Sequence, residues 1–314
     1  MAKSKRYGLD FIGDIHGYGF ALLDLLRKLG YQKKHDSFQH PEGRRVVFLG
    51  DYVDRGPEVA LTLETVRSMI DADNALAIMG NHEFNAVCFH TPDGKGDYLR
   101  SHHEGNGKNV RQHQSTLDQF SDNEWNEWID WFRSLPFYID SGDWRAVHAS
   151  WDFDSIEKLR GQSLQDEDFL YKSSIPMSWQ FSAVENVLKG LEVKLPDGIA
   201  IKDFNGINRS SMRVRWWEGG FGKKYSDLVF PSSDRLGVLE EIKYLGEDWR
   251  SYSIDEPPVF FGHYWIPPDS KVMPVGTNVA CMDYSVASPG GKLTAYRWDG
   301  ENQLSSKKFI QVEV

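Results

Sequence analysis

Five short clusters of Asp, Asn, His and Arg punctuate the chain, each directly after an apolar run. Phe11-Ile12 leads into Gly13-Asp14-Ile15-His16-Gly17, and Val46–Leu49 into Gly50-Asp51-Tyr52-Val53-Asp54-Arg55-Gly56. Leu76–Met79 leads into Gly80-Asn81-His82-Glu83, Ala146-Val147 into His148-Ala149-Ser150, and Val259–Phe261 into Gly262-His263. Asp, Asn and His are ligand types for hard or borderline divalent cations. The glycines permit tight turns and close backbone approach. Any one cluster is ordinary turn or cap chemistry. The ordered set of five is not, because independent turns have no reason to supply this ligand inventory. In open α/β sheets ligands bind beyond the carboxyl ends of the strands, so the clusters are expected to converge on one site.

The elements that would position them can be read from the spacing. YGLDFI is a short strand, followed by a helix with Phe20, Leu22, Leu23, Leu25, Leu26 and Leu29 on one buried face and Gly30 as its stop. RRVVFLG (44–50) is a buried strand, an amphipathic helix follows near 57–71, and ALAIMG (75–80) is the next strand. This alternation predicts an α/β fold. Residues 91–114 are polar, with no period, and predict a long surface loop with short helical pieces. Ser121-x-x-Glu124 opens a helix carrying Trp125, Trp128, Ile129 and Phe132, whose aromatic residues read as core. FYID and WRAVHAS predict a strand pair ending at His148. SAVENVLKGLEV predicts a helix capped by Ser182 and Glu185 and stopped at LPDG. GIAIKDFNGINRSSMRVRWWEGG predicts strand, turn, strand, and the two strands NVACMDYSV and GKLTAYRWDG predict a hairpin around SPGG. The chain of 1–314 is expected to be a single domain, with an elaboration at about 151–235.

The bulk properties narrow the function. The chain has 314 residues, 40% of them hydrophobic, which suffices for a sizeable core. The net charge of −10 argues against broad binding to nucleic-acid backbones, while bound cations can still attract a phosphorylated substrate. No apolar run approaches the roughly 20 residues needed to cross a bilayer, and no secretory leader is visible. Two cysteines, Cys88 and Cys281, form neither a metal motif nor a disulfide framework. The expectation is a cytoplasmic enzyme with no membrane partner.

GDIHG, GDYVDRG, GNHE, a strand-borne VHA and a later GH together resemble the calcineurin-like metallophosphoesterases. They are most similar to the phosphoprotein phosphatase branch, and WFRSLPFYID…WRAVHAS is similar to its bacterial members. The resemblance implies a β-sandwich flanked by helices, an α+β layering with two divalent metal ions at the strand ends. It implies Asp14 and His16 as ligands of the first metal, Asp51 as the bridge, and Asn81, His148 and His263 as ligands of the second. It further implies His82 as general acid, Asp54 as its orienting partner and Arg55 as a phosphate clamp. The ligand types suit Mn²⁺, Fe, Zn²⁺ or Co²⁺.

A metal-bridging hydroxide would attack phosphorus directly, and the His82 imidazolium, favoured by Asp54, would protonate the leaving oxygen. A second phosphate-binding arginine is expected among Arg209, Arg213, Arg215 and Arg235, with Arg213 first and Arg209 second. His102 and His103 read as surface residues, GNGKN is not a P-loop, and Trp216-Trp217 read either as core or as a cleft wall. The implied substrate is a phosphorylated protein side chain (Ser, Thr or Tyr) or a small phosphoester. A dinucleotide polyphosphate hydrolase, a polynucleotide phosphatase or nuclease, and a non-catalytic metal-binding scaffold are the alternatives. The segment Ser150-Trp151-Asp152 and the terminal DYSVASPGG depart from the eukaryotic protein phosphatases.

Overall fold

A computed structural model describes residues 8–202, 208–232 and 237–314. The chain starts with β1 (Leu9–Ile12), β2 (Arg45–Phe48) and β3 (Ala75–Ala77), which pair in parallel in that order. Then come β4 (Tyr138–Asp140), β5 (Arg145–Val147), β6 (Val259–Phe261) and β7 (Val279–Cys281). These form a second sheet of order β7-β6-β5-β4, parallel except for the β4–β5 hairpin. At Met282 the chain passes back to the first sheet as β8 (Asp283–Tyr284), β9 (Lys292–Trp298) and β10 (Phe309–Glu313). The first sheet thus runs β8-β9-β1-β2-β3, with β10 beside β9. The expected hairpin around SPGG is β8–β9. NVACMDYSV, however, is split between two sheets, because a strand switching layers must break its ladder.

The period-2 alternation of strands sorts the two faces. Leu9, Phe11, Val47 and Leu49 share one buried cluster with Trp144, Ala146, Phe260, Ala280 and Tyr296, which is the interior of the sandwich. Phe11 stacks on Phe260, with centroids 3.7 Å apart and planes 14° from parallel. Ile12, Val46 and Phe48 face the other way, into a larger core shared with helices.

Those helices are α1 (Gly19–Leu29), α2 (Val59–Asp71), α3 (Asn81–His90), α4 (Lys108–Leu117) and α5 (Asp122–Ser134). After the second sheet has begun come α6 (Phe153–Leu159), α7 (Glu167–Ser173) and α8 (Trp179–Lys189). In α1, Leu22, Leu25, Leu26 and Leu29 recur at helical spacing and are buried, each contributing about 1.5–3 kcal/mol by burial. Phe20 lies about 200° around the helix from Leu22 and is 64% exposed, contrary to expectation. Gly30 ends the helix at φ 95°, its N–H donating to Arg27 O.

Two further elements differ from the sequence reading. Helix α8 begins earlier than expected, because Ser178, not Ser182, caps it by accepting the Phe181 N–H. It ends at Gly190 rather than at LPDG, and Glu192–Lys194 forms a strand instead. That strand pairs with Ser211–Arg213, while Ile201–Lys202 pairs with Asn208–Arg209, so the region makes two small ladders. Val193, Leu195, Met212, Val214, Tyr225, Leu228, Val229, Leu239 and Tyr244 form a hydrophobic cluster of their own. Helices α6 to α8, by contrast, bury Ile156, Leu170, Val184 and Leu188 in the main core. Among the described residues no helix is long and apolar enough to cross a membrane.

Candidate metal centre

All five clusters leave their strands at the same end of the sandwich. Asp14 and His16 follow β1, Asp51 to Arg55 follow β2, and Asn81 and His82 open α3 after β3. His148 follows β5 and His263 follows β6. The turns are sharp enough that His16, Asp51, Asp54, Arg55, His263 and Trp265 all adopt positive φ, between 47° and 72°. Such backbone costs of order 1–3 kcal/mol per residue and persists only where surrounding structure enforces it.

Much of that enforcement comes from Glu83. Its fully buried carboxylate accepts the N–H of Gly80 (2.9 Å), Asp51 (2.8 Å) and Tyr52 (2.7 Å). It therefore ties the β2 turn to the start of α3. Burial, with the nearby Asp51 charge, pushes its pKa up to about 7. Asp51 O in turn accepts the N–H of Ile15 (3.0 Å) and His16 (2.8 Å), locking the first turn onto the second. Glycine is required where these turns touch. A Cβ on Gly50 (φ 94°) would sit 2.6 Å from Gly80 Cα, and one on Gly262 would sit 1.9 Å from Asp14 Oδ1.

Two compact groups of ligand atoms result. His16, Asp51 and His82 offer donor atoms within 4.8 Å of one another, and so do Asp51, His148 and His263. Asp51 belongs to both. Its Oδ2 lies 3.5 Å from His16 Nε2 and its Oδ1 lies 3.4 Å from His148 Nε2. Asn81 Oδ1 is 3.1 Å from the same His148 nitrogen. Asp14 is set slightly apart, with both carboxylate oxygens accepting the His263 N–H at 3.0 and 3.1 Å.

The donor set fits divalent cations. His16 Nε2 and His263 Nε2 are buried without a hydrogen-bond partner, an arrangement that costs free energy unless something else takes the lone pair. His148 donates Nδ1–H to Leu49 O (2.7 Å), which leaves Nε2 to face the carboxylates. Burial lowers the pKa of His16 to about 3, and burial together with the Arg213 charge keeps His263 well below its usual range. Both rings are therefore neutral, as ligands must be. Burial also opposes a charge on His148, but Asp51 and Asp14 outweigh it and raise its pKa to about 10. There a proton occupies the attractive field that a cation would otherwise neutralise. Asp14 is raised by burial and by Asp283 and Asp51, and Asp51 is held well below its usual range because His148 and His82 outweigh its burial.

His82, a member of the first group, also takes part in a second arrangement. His82 Nδ1 is 2.5 Å from Asp54 Oδ2, and both side chains are buried. Burial raises the Asp54 pKa, but hydrogen bonds from His113 and His82 outweigh it and hold the carboxylate ionised. The exposed Arg55 guanidinium lies 4.2 Å over the Trp265 ring, within cation–π range. Arg213 is half-buried, 3.9 Å from Glu192, and its charge acts on both His263 and Tyr264. Arg209 sits on an exposed two-residue strand.

The strand Ser211–Arg213 stops at Arg213, and Arg215 turns to Val229 O and Ser232. Arg235 lies outside the described residues. Trp216 and Trp217 are core residues packed on Phe261. His103 is exposed, but His102 is sandwiched between Phe89 and Tyr98. Sequence reasoning missed Glu83, His113, Thr116, Trp265 and Asp283. For Glu83 the signal was its place in GNHE, three residues after the glycine whose N–H it accepts.

With the geometry described, the relatives can be compared. Residues 9–218 match the family model described as calcineurin-like phosphoesterase. A bis(5'-nucleosyl)-tetraphosphatase (asymmetrical) of Halalkalibacterium halodurans is 42% identical over 73 residues, covering 23% of this chain and 30% of that protein. The enzyme of that name from Oceanobacillus iheyensis is 31% identical over 131 residues, 42% of this chain and 50% of its own. The matches thus span between 30% and 50% of the length of these curated relatives. The cold-active protein-tyrosine phosphatase of a psychrophilic Shewanella aligns over 98% of this chain and 80% of its own, with 18% identity and a TM-score of 0.49. The match to the family model covers more than half of the chain and contains the first four clusters, and on that basis the chain belongs to the calcineurin-like phosphoesterases.

Proposed function

We propose that the chain is a phosphomonoester hydrolase acting on phosphorylated protein side chains, on phosphoserine or phosphothreonine and also on phosphotyrosine. The observation that carries this reading is the buried His82–Asp54 pair, in which His82, although its ring reaches the first candidate ligand group, is held by a carboxylate outside both groups. An alkoxide is a poor leaving group and needs a proton as the P–O bond breaks. A histidine held by a carboxylate supplies one. Asp14, His16, Asp51, Asn81, His148 and His263 would hold two divalent cations, with Mn²⁺ the first to try in an assay. When bound, such a pair polarises phosphoryl oxygens and lowers the pKa of water at neutral pH.

The remaining work falls to side chains. Asp54 fixes His82 with Nδ1 inward, leaving Nε2 to hand its proton to the leaving oxygen. Arg55 presents a planar guanidinium fork to phosphate oxygens, while stacking on Trp265 limits its swing. Arg213, which acts electrostatically on His263, is the favoured second phosphate-binding residue, ahead of Arg209. The small cluster at residues 191–249 carries Arg213 and is the region we assign to substrate choice. Cys88 and Cys281 are both buried and unpaired, in keeping with a cytoplasmic location.

The matched relatives favour a second reading, a dinucleotide polyphosphate hydrolase, since proteins of that name share the stretch with this chain. A phosphate-anhydride leaving group needs less protonation, which is why the acid pair weighs for the monoester. Turnover of phosphopeptides, diadenosine polyphosphates and 3′-phosphorylated oligonucleotides, each with Mn²⁺, separates the readings. The monoester reading expects phosphopeptides to have the highest kcat/KM. A preference for the diadenosine substrate overturns it. Failure to turn over even p-nitrophenyl phosphate with any divalent ion would leave only a metal-binding scaffold.

A further inference from the structure

The Asp54 carboxylate serves more than His82. Its Oδ2 takes the His82 Nδ1–H, while its Oδ1 accepts from His113 Nδ1 at 2.6 Å and from Thr116 Oγ1 at 2.7 Å. Thr116 Oγ1 also accepts the Asp54 backbone N–H at 3.0 Å. His113 and Thr116 lie three residues apart on α4, hence on one face of that helix, and both are buried. This helix comes from the polar stretch between the third and fourth clusters, and none of its residues belongs to the recurring motifs. The His113 ring is itself held. Phe89, His90 and Trp125 surround it with centroids 5.2 to 5.5 Å away, and its Nε2 lies 3.4 Å from His90 Nε2.

A carboxylate with two identical oxygens can rotate and present either one, or share both with a single donor. Saturating Oδ1 with two donors from a rigid helix removes that freedom. Only Oδ2 remains for His82, in one direction, which fixes both the imidazole plane and the tautomer with its outer nitrogen free. Hydrogen bonds to an ionised acceptor are roughly twice as strong as neutral ones, so the clamp is tight. Asp54 adopts positive φ at 69°, and without the Thr116 bridge nothing else among the described hydrogen bonds secures its N–H.

We propose that His113, together with Thr116, is a positioning residue for the proton donor: it divides the Asp54 carboxylate so that His82 is aimed at the leaving oxygen. The inference rests on the reading of His82 as proton donor, and leaving-group dependence tests the two separately. His113→Ala should lower kcat on phenyl phosphate by about 10-fold or more, within the usual range of acid–base contributions. It should lower kcat on 2,4-dinitrophenyl phosphate, whose leaving group needs no proton, by less than about 2-fold. KM, bound metal content and the circular dichroism spectrum should stay as in the parent. His113→Asn, whose amide nitrogen can still donate to Oδ1, should recover most of the loss.

His82→Ala is measured alongside. If it too is equally slow on both substrates, the proton-donor reading falls and the His113 inference falls with it. If His82→Ala discriminates while His113→Ala slows both substrates equally or neither, only the inference is overturned. Should His113→Ala not fold, the isosteric Thr116→Val decides by the same comparison: selective loss on phenyl phosphate supports the clamp, and uniform or absent loss overturns it.

Discussion

At the scale of single residues, the centre depends on groups outside the proposed ligand set as well as within it. Glu83 accepts four backbone N–H groups, those of Gly80, Asp51, Tyr52 and, more weakly, Val53, in a buried setting. In Glu83→Gln one acceptor oxygen becomes a donor and opposes the N–H groups on its side. Thermal unfolding should show a loss of about 1–3 kcal/mol, the cost of stranding such a group. Calorimetric titration with Mn²⁺ should show weakened affinity as the Asp51 turn loosens; unchanged affinity would mean that Glu83 only fills space. Asp51 stands between the two ligand groups, and Asp51→Asn removes its charge. Metal analysis of the purified variant should therefore find both sites depleted and activity lost.

A third residue, His90, sets a pH dependence. Burial, with His113 and His102 nearby, lowers its pKa from 6.5 to about 4. The unfolded chain binds this proton first, so the stabilisation from neutral His90 is complete above pH 6.5 and is lost as pH falls towards 4. Denaturant unfolding of the metal-free protein across that window should show stability declining with acid. The decline should be shallower in His90→Gln, with the remainder coming from groups such as His16, whose pKa is lowered to about 3. An identical slope in the variant would remove His90 from the account.

Elements meet at the glycines, and there the tolerance is smallest. At Gly50 a methyl group would meet Gly80 N at 2.5 Å and Cα at 2.6 Å, in a backbone conformation (φ 94°) that L-residues avoid. Gly50→Ala should therefore cost at least about 1–2 kcal/mol from backbone strain alone. It should also push α3, with Asn81 and His82 at its start, away from Asp51. Thermal denaturation with and without Mn²⁺ checks both effects, since the gap between the two melting temperatures should shrink. A variant that melts lower but keeps the parent's gap would show that α3 had not moved.

This dependence on contacts between elements also explains what could be read in advance. Asp14, His16, Asp51, Asn81, His82, His148 and His263 were legible because each follows an apolar strand within a few positions. The strand pattern alone brings them to one edge. His113 and Thr116 were not legible, since they sit in a polar helix whose buried face is made of Asn, His and Thr rather than apolar residues, and they matter only through a contact 59 and 62 positions away. Trp265 carried no local signal, since its place at the centre rests on its ring meeting Arg55 from a different strand end. Phe20 was misassigned because composition suggested burial where the helical angle forbids it, and the α8 start because Ser178 and Ser182 offer the same chemistry one turn apart. The split of NVACMDYSV between sheets has no local signature at all, since it depends on which ladder each half can join.

For the whole molecule, the centre lies where two sheets converge. Asp14, His16, Asp51 and Asn81 come from the ends of the first sheet, while His148 and His263 come from the ends of the second. The sheets are held behind this point by the apolar interior around Phe11 and Phe260. At the point itself, buried carboxylates and unpartnered imidazole nitrogens face one another. Unneutralised, Asp14 and Asp51 repel, and burial with its acidic neighbours already raises the Asp14 pKa. A ligand that binds only the folded state stabilises it by about 2.7 kcal/mol at 100 times its dissociation constant. Cations held by residues from both sheets should act in this way as cross-links. Chelation with EDTA should therefore lower the melting temperature, and added Mn²⁺ should restore it in a concentration-dependent manner. The same titration on His148→Ala should recover only part of the shift, since one sheet then contributes a single ligand, His263. If the parent and His148→Ala showed equal stabilisation by Mn²⁺, His148 would take no part in holding the cations, and its side of the cross-link would be lost from the account.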